Sequence, residues 1–78
     1  MQRYKNLSGK SGITYYSIGE DFIEIKFKDI PGIYIYSNEL CGKGHIEKMK
    51  ALASKGRGLA TYVSQHPQVK DHFHKREP

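Results

Sequence analysis

Apolar residues follow two different rhythms along this chain. From Ile13 to Tyr36 they come in short alternating runs, and from His45 onward they recur at spacings of three and four. The first rhythm predicts a sheet and the second predicts helices. Ile13–Ile18 is rich in β-branched and aromatic side chains and predicts a strand. After a turn at Gly19-Glu20-Asp21, Phe22–Phe27 predicts a second strand. Its alternation puts Ile23, Ile25 and Phe27 on one face, and Glu24, Lys26 and Lys28 on the other with Phe22. Pro31-Gly32 marks a turn of type II chemistry, followed by a third strand, Ile33–Tyr36. Here Ile33 and Ile35 are assigned to the core, beside Ile23, Ile25 and Phe27, and Tyr34 and Tyr36 to the opposite, open face.

In the second half, Ile46, Met49, Leu52 and Ala53 share one arc of a helix running from His45 to Lys55, with Gly56 just past its end. Cys41-Gly42-Lys43-Gly44 reads as the link into it. Leu59–Val63 predicts a second short helix. Pro67 suits the first position of a final helix, docked by Val69 and Phe73 and braced by an Asp71–Lys75 ion pair. The expected fold is α+β: a three-stranded antiparallel meander packed on one face by two or three short helices. Residues 1–12 read as a polar N-terminal extension and 13–66 as a single domain. Residues 67–78 read as a C-terminal helix or a basic tail, with Arg76, Glu77 and Pro78 frayed.

Size and charge sharpen this picture. A chain of 78 residues buries only about 60% of its unfolded surface, so the core is thin and dimerisation would add burial. Cys41 is the single cysteine, which excludes an intramolecular disulfide. No apolar stretch approaches a membrane span, and MQRYKNLSGK lacks the apolar region of a secretory signal. A cytoplasmic protein without membrane association is expected. Residues 1–42 hold five basic and five acidic side chains, whereas 43–78 hold eight basic and three acidic. The whole net charge of +5 therefore falls in the second part, and predicts a basic face suited to phosphates or to an acidic protein.

The densest candidate chemistry is Lys55-Gly56-Arg57-Gly58. Backbone amides left open by two glycines, flanked by two cations, have the make-up of a phosphate site. Lys48, Lys50 and Lys43 extend it along the preceding helix, and Tyr34 and Tyr36, beside Tyr16, are candidates for stacking on bases. On that reading Arg57→Ala should weaken binding more than Lys10→Ala. Gly9-Lys10-Ser11 lacks the full spacing of a phosphate loop. His45, His66, His72 and His74 follow no zinc-ligand spacing, and Cys41 has no base beside it. No catalytic residue, metal ligand or cofactor is assigned.

The strands Phe22–Phe27 and Ile33-Tyr34-Ile35-Tyr36, with Ser54-Lys55-Gly56-Arg57 before a short helix ending near Val63, resemble the KTSC domain family over roughly residues 11–63. Members of that family stand alone in bacterial and phage proteins and at the C-terminus of some lysyl-tRNA synthetases. Many carry aromatic residues and an asparagine after the motif glycine, where this chain has Gly58, Leu59 and Ala60. The resemblance implies no enzymatic mechanism and favours RNA as a partner. The expected function is a small non-catalytic module that contacts nucleic acid through a basic helical face. The alternative is a protein-interaction or homodimerisation module of a bacterial or phage protein, acting through exposed tyrosines or an open sheet edge.

Overall fold

Alternation and turn chemistry build the sheet, and a computed structural model describes residues 1–77 of it and of the helices that cover it. Five strands run in sequence order, every neighbour antiparallel: β1 (Gln2–Arg3), β2 (Ile13–Ile18), β3 (Phe22–Phe27), β4 (Ile33–Ser37) and β5 (His74–Arg76). Between β4 and β5 come α1 (Asn38–Cys41), α2 (Lys43–Lys55), α3 (Leu59–Gln65) and α4 (Pro67–Lys70). The α+β class agrees with the sequence reading, but the three-stranded meander becomes a five-stranded sheet with four helices.

The central strands carry the core. Ile23 and Ile25 on β3 are fully buried. On β2 the register slips between Ile13 and Tyr15, and the Thr14 hydroxyl donates to the Lys26 carbonyl at 3.1 Å. That bulge brings both Ile13 and Tyr16 into the core, although residues three apart on a regular strand face opposite ways.

The facing of β4 is the reverse of the expectation. Tyr36 pairs with Ile23, and Tyr34 with Ile25. Directly paired residues share a face, so the tyrosines join the core side, and Tyr36 is 2% exposed. Ile35 lies opposite Glu24, and Ile33 opposite Arg76, which puts both isoleucines on the outer face, half-buried. The helices cover the inner face through Ile46, Met49, Ala53, Leu59, Val63 and Val69.

Residues read as linkers or tails are also structured. The Ser37 side chain caps α1 by accepting from the Leu40 amide, so the expected link before α2 begins as a helical turn. α2 starts at Lys43, two residues earlier than expected. Pro67 does open a helix, but α4 stops at Lys70, and the chain then extends into β5. The Asp71–Lys75 pair is replaced by Lys75–Glu77 at 3.7 Å, while Arg76 reaches Glu24 at 3.0 Å. Arg76 is therefore held in the sheet, whereas Pro78 lies outside the described residues.

Candidate nucleic-acid interface

The corner between α2 and α3 is built by two glycines with left-handed backbone, Gly56 at φ 86° and Gly58 at φ 83°. The Gly56 amide closes α2, donating to the carbonyls of Leu52 at 2.9 Å and Ala53 at 3.1 Å. Its carbonyl accepts from the Leu7 amide at 2.8 Å, and a Cβ on Gly56 would stand 2.6 Å from the Lys5 Cβ. The Leu59 amide is met by the buried Tyr4 hydroxyl at 3.4 Å. So the segment after β1 docks onto the corner. Two amides expected to be open, those of Gly56 and Leu59, are already used.

What remains available is side-chain charge, and the docking adds to it. Lys55 and Arg57 are exposed. Lys5 lies against Gly56, and Lys10 lines a cleft of about 110 Å³ with Ser8, Ser11, Gly58, Ala60 and Thr61. Four cations from two distant stretches thus surround one corner, with no carboxylate lining the cleft. Lys10, expected to matter less than Arg57, lines the same cleft as Gly58, the chain neighbour of Arg57. Lys5 and Lys10 had no periodicity to mark them. Tyr4 and Leu7, apolar side chains in a polar stretch, signalled that this segment packs; Tyr4 is buried, whereas Leu7 is exposed.

The other expected phosphate ligands divide. Lys48 is exposed on α2. Lys50 is committed elsewhere: its ammonium donates to the Glu20 carbonyl at 2.8 Å and pairs with Glu47 at 3.3 Å, tying α2 to the β2–β3 turn. Lys43 opens α2, about 18 Å of helix away from Lys55.

Tyr34 and Tyr36 do not form an open platform. Tyr34 stacks on Phe73 at 4.5 Å between ring centres and meets the edge of Phe27 at 5.3 Å. Tyr36 is buried, and Tyr16 is buried against Tyr4. The exposed ring is Tyr15, at 43%. It sits on the outer face with Arg3 as its partner on β1 and Lys26 as its partner on β3. The adjacent pair Tyr15-Tyr16 held the signal, since neighbouring strand residues face opposite sides.

The His45, His66 and Cys41 side chains serve packing, whereas His72 and His74 are exposed. His45 is hydrogen-bonded to the Tyr62 hydroxyl through Nδ1 (2.7 Å) and to the Gln68 side-chain oxygen through Nε2 (3.0 Å). His66 donates to the Tyr62 carbonyl at 2.7 Å and stacks on its ring. These bonds join α2, α3 and the start of α4. Among the described residues no three His, Cys, Asp or Glu side chains come together as a metal site. Burial pushes the Cys41 thiol up, partly opposed by a backbone hydrogen bond from Ser37, and the thiol donates to the His72 carbonyl at 3.1 Å. Those are the surroundings of an inert thiol. No helix among the described residues is long and apolar enough to cross a membrane. No protein-family model, curated protein or solved structure matches the chain.

Proposed function

We propose that this protein is a small non-catalytic nucleic-acid-binding module, RNA favoured, whose phosphate contacts gather at the α2–α3 corner. The observation that carries this reading is the convergence of Lys5, Lys10, Lys55 and Arg57 around Gly56 and Gly58. Cations grouped without acidic neighbours hold phosphates while leaving sequence unread. The resemblance to the KTSC domain, with its occurrence beside a tRNA synthetase, supports the same partner.

The test is fluorescence anisotropy of a labelled RNA of mixed sequence at low and moderate salt. Lys55→Ala/Arg57→Ala should lose most of the binding and Lys10→Ala a smaller share. Equal binding by the double variant and the wild type would remove the corner from the reading. A protein-interaction or homodimerisation module is the second reading, supported by the half-buried Ile33 and Ile35 on the sheet face opposite the helix-covered core. Sedimentation velocity across a wide concentration range checks it: a mass that stays monomeric removes the homodimer.

A further inference from the structure

Building on the nucleic-acid reading, we propose that the cleft between the N-terminal segment and the β2 bulge is a base-binding pocket for a single-stranded nucleic acid, with Tyr15 as its stacking surface. The cleft encloses about 380 Å³, at the lower end of the range of roughly 300–1,000 Å³ in which small organic ligands are held. That suits one nucleotide unit.

Its construction follows from the bulge. β1 pairs with β2 over only two residues. The Tyr4 amide then donates to the Thr14 carbonyl at 2.8 Å, and the chain turns away toward Gly56. Asn6 secures the departing segment: its side chain accepts from the Ser11 amide at 3.0 Å and donates to the Ser11 carbonyl at 3.3 Å. Tyr4 and Ile13, almost fully buried, form the floor. The rim carries Arg3, Lys5, Asn6, Thr14 and Tyr15 and no carboxylate.

The chemistry of that rim selects the occupant. A half-exposed ring beside two cations matches a base joined to phosphates, because every base offers a π-face and every linkage a negative charge. Tyr15 takes the base. Arg3 and Lys5 take the flanking phosphates. Lys5 also lies against Gly56, so a strand that leaves the pocket round the β1 edge of the sheet next meets the corner that carries Lys55 and Arg57, whose cleft Lys10 lines. Bases inside a duplex are stacked on each other and cannot present a face to Tyr15. The pocket therefore confers preference for single strands, which the corner alone does not.

The experiment is anisotropy of the full chain, at one fixed salt concentration, with a labelled 12-nucleotide single-stranded RNA and with the duplex of the same sequence. The wild type should bind the single strand more tightly. Tyr15→Ala should weaken single-strand binding at least about five-fold, the lower end of what one stacked base contributes. Duplex binding should be unchanged, and Tyr15→Phe should bind like the wild type. Amide shifts of the wild type titrated with adenosine monophosphate provide a measurement independent of any variant's folding, and should centre on Arg3, Asn6, Thr14 and Tyr15. Wild-type affinity in Tyr15→Ala, with loss in Lys55→Ala/Arg57→Ala, would overturn the pocket and leave the corner standing. Shifts confined to residues outside the cleft would overturn it as well. Binding of neither RNA by the wild type would overturn both.

Discussion

At the scale of single residues, the two corner glycines look alike in sequence but differ in what surrounds them. Both hold positive φ, which costs a residue with a Cβ about 1–2 kcal/mol. A Cβ at Gly58 meets nothing closer than the Leu52 side chain at 3.5 Å, whereas at Gly56 it collides with the Cβ of Lys5. Gly58→Ala should therefore lower stability by about 1–2 kcal/mol and Gly56→Ala by about 2–4 kcal/mol, read from urea midpoints at unchanged slope. Tyr36 gives a second residue-level expectation. Burial, joined by the neighbouring Tyr34 and Cys41, holds its phenol protonated well above the ordinary tyrosine range. A pKa raised in the folded state contributes stability that is complete below the unfolded value of about 10 and is lost as pH rises past it. Stability should accordingly fall above about pH 10. An absorbance titration should show the Tyr36 phenol ionising only with unfolding, and Tyr36→Phe should remove this part of the alkaline loss.

At the scale of elements, β5 depends on Phe73, whose half-buried ring stacks on Tyr34 and tilts against Tyr36 at 6.0 Å. Phe73→Ala should cost about 2–3 kcal/mol, below the range for a fully buried phenylalanine. Hydrogen exchange should show the His74–Arg76 amides losing protection before those of β3. This element also marks where sequence reasoning stopped. β2, β3 and the end of α2 were legible because alternation, helical spacing and a terminal glycine each act over a few residues. In β4 every position from Ile33 to Tyr36 is apolar or aromatic, so period two separates the faces without saying which is inner. Only pairing with Ile23 and Ile25 decides that. β5 is His-Lys-Arg, with no apolar alternation to announce a strand, and the i,i+4 spacing of Val69 and Phe73 imitates a helix. The site was half legible for a similar reason. Lys55 and Arg57 stand beside their glycines in sequence, but Lys5, Lys10 and Tyr15 reach the interface through long-range hydrogen bonds that no local pattern encodes.

At the scale of the molecule, the charge surplus assigned to the second half of the chain is joined in space by cations from the first. If Arg3, Lys5, Lys10, Lys55 and Arg57 each neutralise one phosphate, the logarithm of single-strand affinity should fall with the logarithm of salt at a slope near −3.5, about 130-fold between 50 and 200 mM. In Lys55→Ala/Arg57→Ala the slope should shrink to about −2.1, measured by anisotropy at four or more salt concentrations. The sheet's outermost strands have a different consequence. β1 and β5 are two and three residues long and consist of Gln2-Arg3 and His74-Lys75-Arg76. Short, charged margins of this kind are poor templates for the backbone of a second molecule. They flank β2 and β4, and β4 is Ile-Tyr-Ile-Tyr-Ser, an uncharged, β-prone segment of the sort that seeds amyloid when its hydrogen-bonding edge is bare. The closing strand with so little apolar character of its own therefore acts as a guard against aggregation, and a variant in which it detaches should form fibrils from β4 outward.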